Sequence, residues 1–189
     1  DKIFLTGNGI TELRVPQKIK RDPYRLIYSS SPDRGLVYLL RMWPEIKRLV
    51  PKANLHVYYG FQVFDKLYSD NPGKQKWKNM VLDMMNQKGV TYHSRVGHDE
   101  LHRAMAGASI WAYPTCFDEI NCITAMKCQA LGAIPVVIDR AALKETVRNG
   151  IKIDIDITTE EGQKTYLEQL VRLMKSQVVQ EEIRPEMMK

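Results

Sequence analysis

Residues 113–138 read YPTCFDEINCITAMKCQALGAIPVVI, and this stretch decides the fold. The apolar run Ile110 to Tyr113 enters it as a short strand and breaks at Pro114 into a polar turn carrying Asp118, Glu119 and Asn121. A helix is predicted from Cys122 to Leu131, stopped by Gly132, and Ile134 to Ile138 is the next apolar strand. The unit is strand, loop, helix, strand, with two carboxylates on the loop that enters the helix. A helix N-terminus presents unpaired backbone N–H groups and partial positive charge, so it suits an anion. Asn121 is predicted as the N-cap, and an Asn can also take the left-handed backbone there.

A carboxylate beside a phosphate-seeking helix end repels the phosphate. Glu119 is therefore better placed to accept hydrogen bonds from hydroxyls of the same ligand. A ligand with both phosphates and hydroxyls is a nucleotide sugar.

The 189 residues suffice for one domain with a full core, read as a single unit over 1–189. The 44% hydrophobic and 26% charged content is that of a soluble globular chain. No apolar run approaches the ~20 residues of a membrane span. The first residues, DKIFL, lack the apolar core of a signal peptide. Cys116, Cys122 and Cys128 are odd in number and six apart, neither a zinc pair nor a disulfide framework. They read as reduced, mostly buried thiols of a cytoplasmic protein. A net charge of +6 accommodates an anionic ligand, peripheral association with an anionic membrane surface, or a plain solvated basic face. Nothing points to nucleic acid.

In chain order, strands are predicted at 2–5, 25–29, 53–59, 90–93, 110–113, 134–138 and 151–157. Ser31 and Pro32 open a helix that Pro44 should kink or restart. Residues 61–73 read as a loop, and Gln75 to Lys88 as an amphipathic helix with Trp77, Met80, Val81, Met84 and Met85 inward. A helix from His98 to Ala106 and another from Arg140 to Asn149 follow. The half-buried edge strand IKIDIDI leads to a last helix capped by Thr158 or Thr159. His98 and His102 have the i, i+4 spacing of a metal pair, but no third ligand is near, so no metal is expected. The alternation implies an α/β, Rossmann-like parallel sheet of about six strands with helices on both faces. Ligands of such sheets bind at the carboxyl ends of strands, where Arg34, Arg95 and Glu119 all fall.

Glu119, the small-residue helix, Gly132 and Pro135-Val136-Val137 resemble the retaining "group 1" (family 4) glycosyltransferases of the GT-B fold. That family carries two glutamates eight positions apart, then a Gly-x-Pro-Val-Val segment. Glu119 matches the first glutamate, the ending has one extra residue, and Lys127 stands where the second glutamate would be. The family's first phosphate loop reads Arg-x-x-x-x-Lys-Gly. Arg34-Gly35 matches its end, and Ser29 lies where its Arg would be. KIFLTGNGI is similar to the stretch that enters the C-terminal half of such enzymes.

The resemblance covers roughly residues 2–175 and implies the donor-binding, C-terminal half of a metal-independent glycosyltransferase of the hexosyltransferase type. It implies Glu119 and Arg34 as catalytic groups, the first on sugar hydroxyls and the second on the departing diphosphate. It places Ser29, Ser30, Thr115, Asn121, Cys122, Ile123 and Lys127 on the donor, and Arg95 and Val96 beside the nucleobase. Lys127 is assigned a phosphate-side contact, with a ribose oxygen, pairing to Glu119 or a solvent-facing position as the alternatives. No cofactor is implied; a UDP- or GDP-sugar is substrate. An N-terminal acceptor-binding domain, on the same or a partner chain, would complete the enzyme, and these residues alone would transfer nothing. The tail from Val178 would pack on that domain. A sugar-nucleotide epimerase of the same fold and a non-catalytic nucleotide-sugar-binding module are the alternatives. A receiver-like or regulatory Rossmann domain is disfavoured by the absence of Gly-x-Gly-x-x-Gly.

Overall fold

The structure is a computed structural model that describes residues 7–13, 15 and 19–188; the strand predicted at 2–5 lies outside them. Six strands, β1 (Asp22–Tyr28), β2 (Asn54–Tyr58), β3 (Val90–Ser94), β4 (Ala108–Tyr113), β5 (Ile134–Ile138) and β6 (Ile151–Ile153), form one sheet. Their order is β3-β2-β1-β4-β5-β6, and every pairing is parallel. β4 and β5 are buried at every position, as central strands covered on both faces must be.

The helices are α1 (Leu36–Leu49), α2 (Gln62–Tyr68), α3 (Pro72–Met84), α4 (His98–Gly107), α5 (Ile123–Ala130), α6 (Leu143–Thr146), α7 (Glu160–Lys175) and α8 (Gln177–Met187). α1 packs against α3 and α7, while α4, α5 and α8 pack against one another and against β1, β4 and β5. These are two helical layers over one parallel sheet. Leu26, Ile27, Leu39, Trp43, Ile110, Trp111, Val136 and Tyr166 are core residues shut off from solvent.

Chain direction reverses between β1 and β4: from β1 the chain winds outward to β2 and β3, from β4 outward to β5 and β6. Loops after these two strands therefore part at their carboxyl ends and leave a crevice.

Several local expectations are corrected. Residues 62–68 form a helix, because Phe61, Phe64 and Tyr68 pack as one aromatic cluster with Trp77. Asn71-Pro72-Gly73 is the start of α3: the Asn71 side chain accepts from the Lys74 N–H, and Pro72 is the first helical residue. Pro44 does not restart the helix, because α1 runs from Leu36 to Leu49 with Pro44 inside it. The helix predicted from Arg140 shrinks to the single turn of α6, and the strand predicted over 151–157 to three residues. Thr159 caps α7 by accepting from the Gly162 N–H. The tail from Val178 is not left without a partner, because α8 folds back with Gln180 and Met187 buried and Arg184 bonded to the Gly132 carbonyl.

Candidate functional site

The loop after β1 is not the first turn of an α-helix, as the sequence implied, but a 3-10 turn, Pro32–Arg34, followed by Gly35 at φ +114°. Only glycine takes that backbone at low cost, and here a side chain has no room either. A Cβ on Gly35 would lie 2.2 Å from the Pro114 carbonyl oxygen. The β1 and β4 loops thus touch backbone to backbone, and the turn holds Arg34 over the crevice.

The β4 loop is pinned at three points. The Thr115 hydroxyl accepts from the Phe117 N–H at 3.0 Å. Arg140 grips Asp118 with two bonds, 2.6 and 3.2 Å. The Glu119 carbonyl accepts from the Ala142 N–H at 3.1 Å. Held in this way, Glu119 points its carboxylate back across the switch point. Arg34 Nη1 lies 3.1 Å from Glu119 Oε1, and the Tyr113 hydroxyl donates to the same oxygen at 2.6 Å. Ser30 Oγ donates to the Tyr113 hydroxyl at 3.3 Å. A single chain of polar contacts, Ser30–Tyr113–Glu119–Arg34, therefore joins the two loops. The Arg34 guanidinium also lies over the Phe117 ring, 3.9 Å from its centroid.

The electrostatics match this geometry. The Glu119 side chain is only 9% exposed and that of Arg34 36%, so the carboxylate leans on its two donors. Burial pulls the Arg34 guanidinium down, but the Glu119 carboxylate and the Tyr113 hydroxyl more than offset it and hold it above its ordinary value. Burial, then the bond to Glu119, pushes the Tyr113 phenol well up, so it stays protonated and donating. Tyr113 is itself clamped between Trp111 and Tyr28, at ring distances of 4.9 and 5.9 Å.

The remaining predicted residues fall as follows. Ser29 is buried, with its hydroxyl unpartnered. Thr115 is fully buried and its hydroxyl serves the loop itself. The N-cap of α5 is Cys122, not Asn121, and Asn121 has no left-handed backbone. Asn121 is half-buried, with its Oδ1 sealed in and unpartnered. Burial pushes the Cys122 thiol up to about 11, slightly offset by the N–H groups of Ala125 and Thr124 that face it. Ile123 is exposed on the first turn of α5. Lys127 does not pair with Glu119; it is half-buried on α5, near enough to His102 of α4 to lower that imidazole after burial.

Arg95 and Val96 lie at the carboxyl end of β3, two strands from β1, with Arg95 exposed and making no contact with Arg34 or Glu119 among the described residues. Beside them Tyr59 and Ser94 both have positive φ, and the Tyr59 N–H bonds the Ser94 carbonyl at 3.0 Å. No cluster of three His, Cys, Asp or Glu side chains that could hold a metal occurs among the described residues. No helix among them is long and apolar enough to cross a membrane.

Sequence reasoning placed Tyr113 only as the end of a strand and gave Phe117 and the Asp118–Arg140 pair no role. The signal for Tyr113 was a hydroxyl-bearing residue at a buried strand's carboxyl end, six residues before Glu119.

A family model described as "Glycosyl transferases group 1" matches residues 10–185. No curated protein matches the chain. Among solved structures, the GtfA/B complex superposes with a TM-score of 0.70 at 15% identity, over 93% of this chain and 33% of that one. A TarM mutant of S. aureus, solved with Fondaparinux, alpha-GlcNAc-glycerol and UDP, gives 0.69 at 10% identity, over 97% and 35%. WaaG, a glycosyltransferase involved in lipopolysaccharide biosynthesis, gives 0.64 at 13%, over 91% and 42%. At such identities the likeness is one of fold, and this chain spans 33–42% of the length of these three proteins.

Proposed function

Because this chain belongs to the group 1 glycosyl transferases, we propose that it holds the donor, a nucleoside-diphosphate sugar, for a transfer that retains anomeric configuration. The observation that carries the reading is the Arg34–Glu119 pair: one cation and one carboxylate, from the two loops flanking the switch point, 3.1 Å apart. The diphosphate takes Arg34 and the N–H groups at the start of α5, whose positive end and fixed donors oppose the charge that grows on the leaving group. Glu119, steadied by Tyr113, accepts hydrogen bonds from sugar hydroxyls and fixes the anomeric carbon relative to the incoming acceptor. Neutralisation by a guanidinium and backbone dipoles needs no metal. The acceptor is held by a further domain or chain, and the site works on the cytoplasmic side.

Isothermal titration of the chain with UDP, GDP and ADP and their sugars tests this. Saturable, chelator-insensitive binding of one nucleotide, weakened by Arg34→Met roughly ten- to hundredfold, is the expected outcome for a lost charge-assisted contact. No binding of any of them, or binding restored only by manganese, would falsify the reading. Lys127 in place of a glutamate and Ser29 in place of an arginine favour a second reading, a module that binds the nucleotide sugar without transferring it. Binding without turnover in the presence of the partner domain would single that out.

A further inference from the structure

At the opposite pole from the Arg34–Glu119 pair, by the amino ends of β1 and β4, a cavity of about 230 Å³ is lined by Arg21, Ser109, Gln177, Gln180, Glu181 and Arg184. Two guanidiniums meet here, and neither forms an ion pair among the described residues. Arg21 donates to the carbonyls of Ala108 and Leu131, and Arg184 donates through Nε to the Gly132 carbonyl at 2.9 Å. These bonds hold the turn after α5, and helix-end carbonyls do favour cations. They leave two donors unexplained. Arg184 Nη2 is sealed from solvent with no partner, and so is the hydroxyl of Ser109, a residue 1% exposed. Buried donors are ordinarily bonded, and an orphan costs the full desolvation of the group.

Burial, and after it the charge of Arg184, pulls Arg21 down to about 10, so the two cations repel. Among the described lining residues the one carboxylate, Glu181, is on the exposed side of α8 and only partly answers Arg184. Two cations and two orphan donors beside a half-open cavity lack one component, a compact acceptor of negative charge.

We propose that this cavity is a binding site for a small oxyanion, phosphate or sulfate, toward which the Arg184 guanidinium and the Ser109 hydroxyl turn from their sealed positions to donate, in the field of Arg21. A tetrahedral oxyanion supplies acceptors in several directions at once, which a single carboxylate of the chain does not. The volume admits a free anion with water. Since α8 and the turn after α5 both bear on the cavity, the anion ties the last helix to the sheet. The site is independent of the donor reading, because it shares no residue with it.

The test is thermal unfolding and phosphorus-31 NMR titration of the chain with inorganic phosphate against chloride, at matched ionic strength. Wild type and Arg34→Gln should show the same saturable rise in Tm, which separates this cavity from the donor site. Arg184→Gln should weaken phosphate at least tenfold. Ser109→Ala should weaken it about fivefold, the size of one neutral hydrogen bond, and decides the matter where Arg184→Gln does not fold. Vesicles containing phosphatidic acid should leave bound phosphate in place; displacement would transfer the site from a free anion to a lipid headgroup and overturn the proposal. Absence of a saturable rise in wild type, or a rise lost in Arg34→Gln and kept in Arg184→Gln, overturns it as well.

Discussion

Glu119→Gln should make the chain bind nucleoside diphosphate more tightly, although Glu119 belongs to the proposed donor site. In the free protein Glu119 occupies the cation that the diphosphate must take. At 3.1 Å and an effective dielectric near 20, the gross attraction between the two charges is about 5 kcal/mol. Much of this is offset by desolvation and by screening on the Arg34 side, which is 36% exposed. Exposed pairs are worth roughly 0.2–1 kcal/mol and breaking buried ones costs about 3–5, so this half-buried pair should be worth about 1–2. Glutamine keeps the shape and the bond from Tyr113 but removes the charge. The diphosphate then no longer competes for Arg34, and affinity should rise roughly five- to thirtyfold. The extra affinity of the nucleotide sugar over the bare diphosphate should fall, because a neutral amide accepts sugar hydroxyls less strongly. Calorimetry with the diphosphate and its sugar, on wild type and Glu119→Gln, reads both quantities. Unchanged or weaker diphosphate binding in the variant would refute the competition argument.

Three further outcomes follow from the same contacts. Gly35→Ala should destabilise the chain by at least about 3 kcal/mol in urea unfolding, since it adds left-handed strain to a Cβ 2.2 Å from the Pro114 carbonyl; a loss below 1 kcal/mol would contradict the close approach of the loops. His56 is pushed down to about 4, first by burial and then by Arg25 and His93, so the unfolded chain binds more protons than the folded one between about pH 4 and 6.5. Stability should be complete above that window and fall by order 1 kcal/mol as pH drops through it, after discount for the half-exposed ring, and His56→Asn should flatten the slope. Cys116 is exposed while Cys122 and Cys128 are buried, so a maleimide should modify one thiol quickly in the native chain and all three after denaturation.

The parts of the fold that could be read from sequence are those where one local signal dominates. Apolar runs gave the buried strands, and Gly132 and Thr159 gave helix ends, because hydrophobic burial and capping act at short range. α2 was missed because its inward face is Phe61, Phe64 and Tyr68, spaced three and four apart within a polar segment, and its reason to be helical is Trp77 on another helix. The strand over 151–157 was overextended because alternating Ile and Asp looks the same in a strand and in a loop packed against the sheet's edge. At the site, Arg34 and Glu119 followed from loop position and resemblance. Their direct pairing did not, because it depends on the 85-residue separation being closed by Gly35 against Pro114. Lys127 went the other way: eight residues from Glu119 in sequence, it is turned by the helix toward His102.

The most direct test of the donor-site reading is a crystal structure of this chain with the nucleoside diphosphate it binds best. The account predicts diphosphate oxygens within hydrogen-bond distance of Arg34 and of the first N–H groups of α5, with the Arg34–Glu119 pair opened. A nucleotide seated elsewhere, with Arg34 still on Glu119 at 3.1 Å, would contradict it.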